Sequence, residues 1–147
     1  MQPNVRSDRS SVDLALLVIR LIAGGIMAVH GAQKLFPVFG GPKIDGIVHT
    51  LGPVGYLVAI GELFGGLGIL LGVFSRFSAA ANIVIMIGAI VQVHGKNGFF
   101  APTGFEYNLS LIGLFLAVLI AGPGRYTLAR PLPFLGKSDE APPTLLE

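Results

Sequence analysis

Residues 53–74 read PVGYLVAIGELFGGLGILLGVF, 22 residues in which Glu62 is the one charge. About 20 apolar residues suffice for a helix to cross a bilayer core of about 30 Å. Helix is the physical choice because lipid offers no hydrogen-bond partner to exposed peptide groups. The stretch also lacks the alternation of apolar and polar residues expected of a membrane barrel strand. Working outward, three further apolar runs appear at Leu14–His30, Phe77–His94 and Tyr107–Gly122. The sequence therefore predicts an all-α integral membrane protein, a four-transmembrane-helix antiparallel bundle. Its expected parts are an N-terminal segment over 1–12, a membrane domain over 13–123 with helices near 14–30, 53–74, 77–94 and 107–122, and a proline-rich tail over 124–147 that includes Ala141-Pro142-Pro143-Thr144.

Composition agrees. Of 147 residues, 52% are hydrophobic and 12% charged, against about 25% charged in an ordinary soluble chain. Cysteine is absent, which excludes disulfides, thiolate metal sites and a thiol relay within the chain. A net charge of +2 is too small for nucleic-acid binding. Three scattered histidines without H-x-x-x-H spacing argue against metal or haem, and no strand leads into a glycine-rich nucleotide loop. Neither a metal nor a nucleotide is expected. Arg20 interrupts the first apolar run and no A-x-A cleavage pattern follows, so that run reads as a retained helix rather than a signal peptide. With four spans, Arg6, Arg9, Arg76, Arg125, Arg130 and Lys137 fall on one side and Lys34, Lys43 and Lys96 on the other. The positive-inside rule then predicts both termini in the cytoplasm.

Arg20 and Glu62 are charges inside apolar runs, where each costs about 2.5–3.5 kcal/mol on insertion scales. At 1.5 Å per residue, Arg20 is about 10 Å and Glu62 about 16 Å from the shared membrane boundary. A guanidinium stem covers that difference, so an Arg20–Glu62 ion pair is expected between helices one and two. Gly24, Met27 and Gly31 share a face with Arg20, and Gly65, Ile69 and Gly72 share one with Glu62. Glycines there allow close helix approach. The pair either locks the bundle or also handles a proton or ligand, which makes Glu62 and Arg20 the catalytic candidates. Asn82, about 8 Å into helix three by helical rise, is positioned to join that network, and Asn108 to bridge helices nearer the opposite end. That opposite end gathers His30, Gln33, Lys34, His94, Lys96, Glu106 and Tyr107. Such groups suit a quinone carbonyl pair or a small polar substrate. They equally suit a solvated rim with snorkelling lysines.

These residues in this order resemble the DoxX family of small four-helix bacterial membrane proteins. The resemblance is carried by Val-Ile-Arg20-Leu with Gly24, by Gly31-Ala-Gln-Lys34-Leu-Phe, by Gly61-Glu62-Leu-Phe-Gly-Gly, by Leu-Gly72-Val-Phe-Ser-Arg76 and by Gly104-Phe-Glu106-Tyr107. It covers roughly residues 12–130 and implies an inner-membrane bundle. It also implies a membrane subunit of a thiosulfate:quinone oxidoreductase, or a link to quinone stress and thiol redox balance. Two readings follow: a quinone-linked subunit with Glu62 or Glu106 available for proton transfer, or a non-catalytic scaffold or small-molecule carrier that docks a soluble redox partner. In the second, glycine-rich faces also offer a route to self-association.

Overall fold

The computed structural model describes residues 5–36, 38–40 and 43–129, and among these there is no strand. The elements are α1 (Val5–Ile19), a π turn (Arg20–Gly24), α2 (Gly25–Leu35), α3 (Ile44–Leu51), α4 (Val54–Leu71), α5 (Ser75–Ala89), a π turn (Ile90–His94), a 3₁₀ turn (Gly95–Asn97) and α6 (Glu106–Ala121). The first π turn joins α1 and α2 into one rod. Arg9–Leu35, Val54–Leu71 and Ser75–Asn97 are long and apolar enough to cross a membrane, whereas the apolar α6 is shorter, at 16 residues. The proline-rich tail expected over 124–147 falls outside the described residues from 130 onward.

Large apolar side chains point outward, with Leu57, Phe64, Phe77, Val84, Val91 and Ile120 all exposed. Arg20, Glu62, Ser75, Ser78, Asn82 and Asn108 are buried. This inverts the soluble pattern, because lipid rather than water surrounds the bundle and polar groups find partners only inside. The apolar core is Ala23, Met27, Ile69, Ala79, Met86, Leu111, Phe115 and Val118.

Glycine sets the spacing between the first rod and α4. A Cβ on Gly24 would lie 2.6 Å from Leu70 N and 2.8 Å from Gly66 O, so the two backbones touch. Gly31 meets the backbone of Leu63 in the same way. The expected glycine seam is present, with one difference: Gly65 faces Asn82 on α5, and Gly66 is the residue that faces the first rod. At the turn after α4, Gly72 adopts φ +73° and closes the helix through its N–H to Ile69 O, while Val73 N–H bonds Gly68 O. This left-handed cap reverses the chain within a few residues and sets α5 against α4. The bundle thus has a termini end, holding the 72–75 turn and residues 122–129, and a loop end, holding residues 38–40, 43–53 and 95–105.

One element was not anticipated. α3 is an eight-residue helix in the loop after α2, and it packs on α4 where Gly55 meets Ile47 and Val48. It is too short to register as an apolar run, and Gly46 interrupts it.

Candidate functional site

The expected Arg20–Glu62 ion pair does not form. Arg20 is 1% exposed and donates to four backbone carbonyls: Nε to Ile69 O at 2.9 Å, Nη2 to Leu70 O at 3.1 Å, and Nη1 to Pro123 O at 2.8 Å and Tyr126 O at 2.7 Å. The first two are among the last carbonyls of α4, which lack i+4 helical donors, and Ile69 O is shared with the capping Gly72 N–H at 3.2 Å. A fixed cation at a helix C-terminus also opposes the helix dipole favourably. The other two bind the 123–126 segment, which the Leu128 N–H ties to Leu71 O at 2.9 Å. Arg20 is therefore a clamp that closes the termini end. It is not positioned to hold Glu62 ionised.

The reason lies in helix direction. Cα–Cβ bonds tilt toward a helix's own N-terminus. Arg20 on the first rod leans toward the termini end, while Glu62 on the antiparallel α4 leans toward the loop end. The Arg20 acceptors Ile69 and Leu70 lie seven and eight residues beyond Glu62, about 10–12 Å along the axis. Lys34 leans the opposite way, from the loop end back into the bundle, and meets Glu62.

Lys34 Nζ donates to Glu62 Oε2, the one ion pair among the described residues, with the side chains 13% and 6% exposed. Sequence reasoning had both residues but placed Lys34 on the rim. The signal was available: the face bearing Gly24, Met27 and Gly31 continues to Lys34, and Gly31 packs on Leu63 beside Glu62.

Next to this pair, Tyr107 Oη lies 3.4 Å from His30 Nε2, and their rings are 6.2 Å apart at 51°. His30 is one turn before Lys34 on α2. The Lys34–Glu62 and His30–Tyr107 pairs thus form a cluster of four polar side chains drawn from α2, α4 and α6, from a buried carboxylate to an exposed phenol.

The other expected site residues divide. Asn82 does not reach Arg20 or Glu62; its Nδ2 donates to Ser78 O at 2.9 Å within α5. Asn108 does bridge helices, donating to Met86 Sδ at 3.5 Å. The Oδ1 atoms of both asparagines are buried without a hydrogen bond. Gln33 Nε2 lies 3.5 Å from Phe39 O in the following loop. His94 Nδ1 contacts Thr103 O at 3.0 Å, and Glu106 Oε1 accepts from Ala101 N–H at 2.9 Å. These two side chains fold the 95–105 loop rather than join the cluster.

Chemically, the Lys34 ammonium has three donors, of which Glu62 takes one. Glu62 Oε1 accepts no hydrogen bond among the described residues. The cluster can therefore donate to a carbonyl and accept from a hydroxyl. No group of His, Asp and Glu among the described residues is placed to hold a metal ion.

The DoxX family model matches residues 15–95, more than half of the chain and including Arg20, His30, Lys34 and Glu62. The chain belongs to the DoxX family. Among its relatives, this DoxX protein is 30% identical over 129 residues to a Bacillus subtilis (strain 168) protein named "Putative oxidoreductase CatD", covering 88% of this chain and 94% of that one. It is also 30% identical over 135 residues to a Mycobacterium tuberculosis (strain ATCC 25618 / H37Rv) protein named "Uncharacterized membrane protein Rv3486", covering 80% of this chain and 81% of that one. No solved structure matches it. Family, apolar helices and outward-facing apolar surface together make this DoxX chain a membrane protein.

Proposed function

We propose that this DoxX protein is the membrane subunit of a quinone-linked oxidoreductase system and that the Lys34–Glu62–His30–Tyr107 cluster holds the quinone head group. The observation that carries the reading is the buried Lys34–Glu62 pair. Apolar residues of similar size replace a buried ion pair at little or no cost in stability. Ionisable groups kept inside a membrane bundle accordingly point to proton or ligand handling.

The residues fit the group. Quinone carbonyl oxygens need donors, and Lys34, Tyr107 and His30 are donors grouped at one end of the bundle. The hydroxyls of the reduced form need acceptors, for which Glu62 Oε1 is open and the buried Asn108 Oδ1 follows Tyr107 on α6. A bound quinone supplies two-electron redox chemistry that no side chain of this chain carries. Lys34 orients one carbonyl, Glu62 exchanges the proton, and Tyr107 with His30 passes it toward the loop end. Without cysteine, any sulfur chemistry falls to a substrate or to a soluble partner.

In this reading α6 is a fourth span. Its 16 residues reach about 24 Å, and flanking residues make up the remainder. Among the described residues Arg9, Arg76 and Arg125 mark the termini end against Lys43 and Lys96 at the loop end, where Lys34 turns inward. That favours cytoplasmic termini in a bacterial inner membrane.

The experiment is lipid extraction of gently purified protein combined with quinone-dependent thermal stability. Copurified quinone, and stabilisation by added quinone, is the expected result. Absence of both would sink the proposal. A scaffold reading draws on the Arg20 clamp and the glycine seam, which are structural devices. It predicts that replacing both Lys34 and Glu62 by apolar residues leaves cellular function intact.

A further inference from the structure

Arg76 lies at the opposite end of the bundle from the cluster, in the first turn of α5. It is partly buried, and its Nε is buried without a hydrogen bond. The guanidinium lies over the end of α6, with Nη2 3.3 Å from where a Cβ on Gly122 would stand. No described residue forms an ion pair with it. At the same end Arg20 has its four carbonyls, and Asp13 Oδ1 accepts from the Arg125 N–H at 3.0 Å. Arg76 is thus a permanent cation with five donors in a fixed fork, held at the edge of an apolar bundle with no acceptor from the described residues.

Its surroundings favour an anion. The first-turn N–H groups of the 15-residue helix α5 have no intrahelical acceptors and form the positive end of its dipole. Ser75, in the same turn, is fully buried and its hydroxyl has no partner. Phe74 and Phe77 flank the arginine and are exposed, which puts the guanidinium beside apolar side chains facing lipid. An unsatisfied guanidinium in such a place is costly. The acceptor whose shape matches its fork, and which a bilayer surface carries, is a phosphate.

We propose that Arg76 and the start of α5 form a phosphate-binding site that takes the headgroup of an anionic phospholipid at the termini end of the bundle. The same chemistry would accept free phosphate, so the experiment must separate the two sources. Thermal unfolding of the full chain in neutral detergent would be followed against added phosphatidylglycerol and, separately, inorganic phosphate.

The expected result is saturable stabilisation of the parent protein by phosphatidylglycerol, little effect of phosphate alone, and about tenfold weaker lipid dependence in Arg76→Gln, the size of one lost charge-assisted interaction. Arg76→Lys keeps the charge but loses the fork, so it should fall between the two and covers the case in which the glutamine variant does not fold. Lys96→Gln, exposed at the loop end, should respond as the parent does. Stabilisation by phosphate alone that depends on Arg76 would keep the site and assign it to a free anion. Equal lipid response in parent, Arg76→Gln and Arg76→Lys overturns the proposal.

Discussion

Replacing Lys34 by Met tests the Lys34–Glu62 pair most sharply when it is set in a double-mutant cycle. The single substitution leaves the Glu62 carboxylate inside the bundle, 6% exposed, with its ammonium removed. Breaking a buried pair from one side costs about 3–5 kcal/mol, because the remaining charge stays desolvated. Glu62→Leu alone strands the ammonium instead. It should cost less than Lys34→Met, since Lys34 is the more exposed partner at 13% and its long stem lets the head swing toward the loop end. The double variant removes both charges, and an apolar pair of similar volume should recover most of the loss. For a chain of this size about 1 kcal/mol shifts the midpoint by roughly 2–4 °C. Lys34→Met should therefore melt about 10 °C below the parent, and the double variant within a few degrees of it. Unfolding in one fixed lipid or detergent, followed by helical circular dichroism, reads all four proteins. If the double variant loses the sum of the two single losses, the charges do not interact and the site as described is wrong.

Two further outcomes follow from the packing. Arg20→Lys keeps the charge but cannot reach four carbonyls from one planar fork, so it should cost about 2–3 kcal/mol and speed proteolysis after residue 122, measured by limited digestion in detergent. Gly24→Ala should destabilise by about 1–3 kcal/mol through overpacking, because its Cβ would meet Leu70 N and Gly66 O. Gly113→Ala, where nothing lies within 4 Å of the added Cβ, should be neutral or up to about 1 kcal/mol stabilising; thermal midpoints of the two variants check the contrast.

The apolar runs and the glycine seam were legible because each depends on a local property: hydropathy per residue, or the absence of a side chain on a repeating face. Gly24 and Gly31 could be assigned to the helix-one contact from spacing alone. The partners of Arg20 could not. Two of its acceptors belong to the 123–126 segment, which folds back over the end of the bundle, and a backbone carbonyl leaves no mark in a sequence. By depth alone Arg20 and Glu62 lie within reach of one another, but side chains on antiparallel helices lean in opposite directions. The same rule, applied to the face running from Gly24 through Gly31, would have delivered Lys34 to Glu62. His30 and Tyr107 were grouped correctly as neighbours at one end. His94 and Glu106, grouped with them, bond their own loop instead, because short-range backbone partners at Thr103 and Ala101 are nearer than the cluster.

The central claim is that Lys34 and Glu62 form a ligand-handling site rather than a lock. Quinone titration of the parent and of the Lys34→Met/Glu62→Leu double variant, both folded and both followed by thermal midpoint, addresses it directly. A rise in the parent midpoint that is absent from the double variant is the predicted result. An equal rise in both proteins would contradict it.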